Sequence, residues 1–384
     1  MHHFLPAERS HIKEFRICFL NPVLTRVCLR YQHLEARTLI IVMVCSCVAS
    51  LFVTWVVRGA MRKAGVFDVP KGDRKLHRGP VAYEGGVALY AAFLVGIVTA
   101  SLLEPRFFFE MTAVRGLVFG ATCATAVGVA DDLLDMPPWI KLLAQLGIGW
   151  AMYLYGFSIQ KLSNPFGGEL LVWPVTSVVA TMLWYALLMN GINMVDGLDG
   201  LAAGIVGVCG ITLCFIAQDL DQALAATLAI VIAGICLGFL PFNFSPATIF
   251  MGDAGSLLLW FLLASVTLLS STKAPALLAL LIPMLAVGLP LFETVFAFFR
   301  RAVHGRNPFQ GDRRHLHHRL LNLGLSPRRT VLIFYYVTAF LGVVAYIIQR
   351  LEARATLALV VILLVGAIVA VENMRFLEKR NQAG

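Results

Sequence analysis

Asn190, Asn193, Asp196 and Asp199 recur every three residues in the stretch Asn190-Gly191-Ile192-Asn193-Met194-Val195-Asp196-Gly197-Leu198-Asp199-Gly200, between two long apolar runs. Burying a carboxylate or an unpaired amide in hydrocarbon is costly, so these side chains need water, a cation or a polar ligand beside them. The glycines support a turn between two helices, yet four polar groups exceed what a turn requires. The stretch lacks the alternate-position oxygens and closing Glu of an EF-hand.

Asp131 and Asp132 are adjacent, with Asp135 following. Like charges this close repel and raise one pKa. They suit a magnesium-dependent phosphate site, where carboxylates, waters and substrate oxygens complete an octahedron. The alternative is a helix end with exposed acids, which the helix dipole opposes. The segment 243–256 carries Asn243, Phe250 and Asp253 among glycines. Asp253 is either an N-cap or part of an anion site at a helix N-terminus, and Phe250 is an aromatic able to stack on a base. In 73–80, Lys75 and Arg78 are two of four cations at a helix mouth, followed by Glu84-Gly85-Gly86. They could bind phosphates or simply mark a cytoplasmic loop. The run Arg313-Arg314-His315-Leu316-His317-His318-Arg319 could hold zinc. Its arginines favour an anion instead, such as a diphosphate whose charge grows in a transition state.

These clusters are set in a chain of 384 residues that is 59% hydrophobic and 14% charged, with mean hydropathy +0.80. Soluble domains carry about 25% charged residues, so the composition predicts an all-α polytopic integral membrane protein. Eleven apolar runs are long enough to span, at roughly 38–57, 86–104, 113–130, 139–156, 174–192, 200–217, 222–241, 255–271, 275–299, 330–349 and 354–373. Residues 1–37 form a tail to which no role is assigned, 38–375 one transmembrane domain, and 376–384 a second tail. The first apolar run lacks a small-residue cleavage site, so no cleaved signal peptide is expected. The eight cysteines, mostly inside apolar runs, read as small apolar fillers.

Basic residues orient the bundle. Seven lie in 58–85 and eight in 300–329, whereas the opposite loops hold only Arg106, Lys161, Lys273, Arg350 and Arg354. The reading is N-out/C-in, which makes the net charge of +9 topogenic and argues against nucleic acid. Every polar cluster then falls on the cytoplasmic side. A channel or carrier would put polar groups near the midplane, and no inverted repeat is visible. An enzyme acting at one face on a membrane-held substrate fits better than a transporter, the alternative from another class.

The segments DRKLHRGP, GVADDLLD, NGINMVDGLDGLAAG, FMGDAGS and DRRHLHHRL, in this order, resemble the polyprenyl-phosphate N-acetylhexosamine-1-phosphate transferase family. The likeness covers roughly 60–375 and is strongest to the bacterial branch that starts O-antigen and related polysaccharides. The form His315-Leu316-His317-His318 departs from the three consecutive histidines of the related MurNAc-pentapeptide translocases, the runner-up. The resemblance implies transfer of a sugar 1-phosphate from UDP-GlcNAc, or a related UDP-HexNAc, to undecaprenyl phosphate at the bacterial inner membrane. It implies Mg²⁺ (or Mn²⁺) on Asn193 and Asp253, with Asp131 and Asp132 beside the metal and the lipid phosphate. Phe250 would stack on uracil, with Asn243 and Asp199 near the uridine. Arg313, His315, His317 and His318 would hold the diphosphate or sugar, and Asp196 joins the catalytic set without an assigned step. Partners are the two substrates and membrane lipid, and the apolar bundle could form a homodimer.

Overall fold

The computed structural model describes residues 35–65, 67–68, 81–104, 107, 110–159, 161–163, 169–171, 173–191, 198–270, 320–321 and 323–351, with 355, 358–359, 361–363 and 365–366. Within them the apolar runs become helices α1 (Ala36–Ala64), α2 (Gly85–Leu103), α3 (Met111–Leu134), α4 (Pro138–Leu154), α5 (Pro174–Gly191), α6 (Leu201–Asp219), α7 (Ala223–Asn243), α8 (Gly252–Ser270) and α9 (Pro327–Ile348). Seven of these are long and apolar enough to cross a membrane. The chain is therefore a multi-pass membrane protein. The span expected at 275–299 lies outside the described residues, and that at 354–373 is described only at scattered helical positions.

Two antiparallel hairpins qualify the all-helical expectation: β1 (Phe67–Asp68) pairs with β2 (Val81–Ala82), and β3 (Lys161–Ser163) with β4 (Glu169–Leu171). In the sequence the second pair of strands flanks Asn164-Pro165-Phe166-Gly167-Gly168, a run of turn-forming residue types. Two helices overrun their expected ends. α1 continues to Ala64, where Arg62 and Lys63 meet the negative end of the dipole and Gly65 closes it at φ 73°. α3 continues to Leu134, so Asp131 and Asp132 stand in its last turns rather than in a following loop.

α8 is the axis of the bundle, packed against α2, α3, α5, α6 and α7, with Trp260 and Phe261 wholly buried. The outer helices expose Phe52, Trp55, Leu102, Trp150, Phe215 and Phe340. An apolar core inside an apolar shell suits lipid as solvent. Hydrogen bonds pin α5 to α8 through the interior, Trp184 Nε1 donating to Thr267 (3.1 Å) and Tyr185 pairing with Ser265 (3.0 Å).

In lipid, helices associate by close approach of small residues. Gly86 of α2 and Gly128 of α3 clasp the first turn of α8: a Cβ on Gly86 would collide with Gly255 N, and one on Gly128 with Ala254 Cα. The obstruction is backbone, which cannot swing aside. Gly86→Ala should lower stability by about 2–3 kcal/mol, read as a drop in melting temperature in detergent. Gly147→Ala, where an added Cβ meets nothing within 4 Å, is the control expected to melt as the parent does.

Candidate active site

The ends of α3, α4 and α8 meet at one end of the bundle. Asp132 accepts the backbone N–H groups of Asp253 (2.8 Å) and Ala254 (3.0 Å), and the Tyr83 hydroxyl donates to it at 3.1 Å. It thereby caps α8, satisfying donors a helix start leaves open and meeting the positive end of the dipole. Asp131 faces elsewhere. Lys141, in the first turns of α4, contacts the Asp131 carboxylate and donates to Asp253 Oδ2 at 2.8 Å. The adjacent acids thus divide the work: one anchors a helix, and the other shares a largely enclosed ammonium with Asp253.

A loop from 244 to 251 leads into this site and carries Phe250, half-buried. Asn243, buried at the end of α7, accepts the Gly200 N–H (3.1 Å) and donates to the Ile249 carbonyl (3.0 Å). Asp199 accepts the Ala247 N–H at 3.0 Å. These two, expected near a nucleotide, form the base that holds the Phe250 loop. The segment before α2 pairs along the loop: Phe250 N–H donates to Ala82 O (2.9 Å), Gly85 N–H to Phe250 O (2.9 Å) and Gly86 N–H to Met251 O (2.8 Å). Arg58 lies over the Phe242 ring at 4.9 Å, and Arg328 Nε donates to Ser245 O at 2.8 Å. Tyr335 donates to Gly200 O at 2.5 Å, tying α9 to the start of α6. Asn190 bonds Gln145 and the Ala186 carbonyl (2.8 Å), joining α5 to α4.

Six residues singled out in the sequence are therefore brought to one end: Asp131, Asp132, Asp199, Asn243, Phe250 and Asp253. Lys75, Arg78, Asn193, Asp196, Arg313, His315, His317 and His318 lie outside the described residues. Sequence reasoning missed Lys141. The available signal was its spacing: Lys141 and Gln145 share a face of an apolar helix, and that face also buries Ile148, Gly149 and Met152. Glu84 was read only as part of a turn. Burial, and secondarily the charge of Asp132, push its carboxyl up to about 7.

A magnesium ion asks for one or two carboxylates, the rest of its shell coming from water and substrate phosphates. Asp131 and Asp253 converge from different helices on one cation position, now served by Lys141 Nζ, so the donor chemistry fits. Among the described residues no third His, Cys, Asp or Glu joins them.

The stretch 114–271, from α3 to the end of α8, matches the family model described as Glycosyl transferase family 4. A Bacillus subtilis protein named as a probable undecaprenyl-phosphate N-acetylglucosaminyl 1-phosphate transferase is 30% identical over 327 residues, 85% of this chain and 89% of that one. The chain belongs to the polyprenyl-phosphate N-acetylhexosamine-1-phosphate transferase family. Within that transferase family it is also similar to the decaprenyl-phosphate N-acetylglucosaminephosphotransferase of Mycolicibacterium smegmatis, at 32% identity over 333 residues and 81% of each chain. The undecaprenyl-phosphate alpha-N-acetylglucosaminyl 1-phosphate transferase of Escherichia coli is 29% identical over 300 residues, 74% of this chain and 77% of that one. The elements of the transferase that match the family model are those that supply Asp131, Lys141, Asp199, Asn243 and Asp253.

Proposed function

We propose that this transferase moves GlcNAc 1-phosphate, or a related HexNAc 1-phosphate, from a UDP-sugar to undecaprenyl phosphate. UMP leaves, and the lipid-linked diphospho-sugar starts O-antigen or another envelope polysaccharide. The reaction takes place at the cytoplasmic face of the bacterial inner membrane, the side to which the basic loops assign these helix ends. The observation that carries the proposal is the convergence of Asp131, Lys141 and Asp253 beside a helix N-terminus. Carboxylates for a cation and an ammonium for phosphoryl oxygens are what a diphosphate and its counter-ion require.

An oxygen of the lipid phosphate attacks the β-phosphorus of the UDP-sugar. A new P–O bond forms as the bond to the UMP oxygen breaks. Mg²⁺, held by Asp253 with Asn193, would supply charge neutralisation for the diphosphate. Lys141 steadies the negative charge that spreads over the phosphoryl oxygens, with His317, His318 and Arg313 as further donors. A phosphate monoester has a second pKa near 6, so most of the acceptor is already a dianion at neutral pH. Asp131 therefore orients the cation and the lipid headgroup rather than serving as an obligatory base, and no aspartyl intermediate forms.

The test is transfer of label from a panel of UDP-sugars to undecaprenyl phosphate, with and without Mg²⁺. Metal-dependent labelling of lipid by an amino sugar supports the proposal, and labelling only from the MurNAc-pentapeptide donor would replace it with the peptidoglycan reaction. Flux of intact UDP-sugar into vesicles without lipid product would replace it with transport. Phe250→Ala should raise KM for the UDP-sugar about tenfold, the effect of losing one stacked base. An unchanged KM would remove the stacking role.

A further inference from the structure

Glu84 carries two unfavourable features that nothing among the described residues offsets. Its backbone sits at φ 70° and ψ 29°, the left-handed region that side-chain-bearing residues avoid. The residue is 8% exposed, and Oε2 is buried with no hydrogen-bond partner among the described residues. A buried carboxyl oxygen without a partner is unfavourable, and strained or unsatisfied groups gather where a ligand completes them.

The neighbours fix where this side chain stands. Tyr83 on one side donates to Asp132, and Gly85 on the other donates to the carbonyl of Phe250. The turn cannot loosen, because a Cβ at Gly85 would lie 2.7 Å from Phe250 O and 2.8 Å from the Phe239 ring. Glu84 is thus held between the Asp132 end of α3 and the loop of the proposed base-stacking residue. It also lies outside 114–271, the stretch that matches the family model.

The chemistry of the missing partner follows from charge. Asp132 stands close enough to raise the Glu84 carboxyl, so a phosphate is repelled from this spot. A neutral group rich in O–H donors is not. On a nucleotide sugar such groups occur in two places, the ribose diol and the hexosamine ring. We propose that Glu84 is a specificity-determining contact whose carboxyl oxygens accept hydrogen bonds from sugar hydroxyls of the donor. This inference rests on the proposed nucleotide-sugar reading of the site.

The test is binding, measured by calorimetry on full-length protein in detergent with UDP-GlcNAc and with UMP. Glu84→Leu should raise the Kd for UDP-GlcNAc roughly ten- to a hundredfold, the span expected when a charged group loses its donors. Glu84→Gln, which keeps the shape and one acceptor, should raise it less, and it decides the matter if the leucine variant does not fold. A parallel rise for UMP assigns the contact to the ribose, and an unchanged UMP Kd assigns it to the hexosamine. Parent-like Kd values in both variants would overturn the inference and make Glu84 a group that serves the chain itself. Parent protein that binds UDP-GlcNAc but never transfers to lipid phosphate would instead overturn the reaction, leaving the contact standing.

Discussion

Asp253→Asn should leave a folded protein with transfer reduced by about 10³-fold or more. The amide keeps the size of the side chain. The backbone N–H of residue 253 still donates to Asp132, so the start of α8 keeps its cap. What disappears is one of the two negative charges that meet at Lys141. An amide oxygen is a poor substitute at a position that must hold a divalent ion against water. The check pairs initial rates at saturating substrates with a melting curve. A parent-like rate would remove Asp253 from the metal shell, and a collapsed melting curve would make it a structural residue.

Lys141→Met should show the opposite balance, losing stability and activity together. The Lys141 and Asp131 side chains are largely enclosed, at 11% and 7% exposure, and Asp253 is more open at 26%. Removing the ammonium leaves two carboxylates facing each other with no counter-charge. Breaking such a pair costs about 3–5 kcal/mol. Losing one positively charged donor to the phosphoryl oxygens should slow transfer by about 10²–10³-fold. The two effects separate in the double variant Lys141→Met/Asp131→Asn. Neutralising Asp131 should recover much of the stability, because the remaining carboxylate no longer has a like-charged neighbour. Activity should not return. Recovery of both would mean that Lys141 acts only by relieving repulsion.

The membrane class and most helix positions were legible from the sequence because apolar length is a strong one-dimensional signal. The runs around α6, α7 and α8 come out within a few residues. The ends were less legible. α3 runs through Asp131 and Asp132 because their carboxylates find partners on α8 and α4, which hydropathy cannot register. The neighbours of a charged residue are also invisible in one dimension. Asp131 and Asp132 look equivalent as letters, yet one caps a helix and the other meets an ammonium. Lys141 did not stand out because a lysine near a helix start is common on a basic face. Its partners are two acids, one of them 112 residues away in the chain. Asn243 and Asp199 were legible as important, while their grip on the backbone of the Phe250 loop needed the fold.

The most direct measurement follows the β-phosphorus of the donor. With UDP-GlcNAc labelled at that atom, purified protein and undecaprenyl phosphate, all transferred label should enter the lipid in a Mg²⁺-dependent way, and the released UMP should carry none. The Asp253→Asn variant should leave the label in the aqueous phase. Release of labelled UDP with unlabelled lipid-linked sugar would contradict the proposed chemistry, since it would show transfer of the sugar without its phosphate.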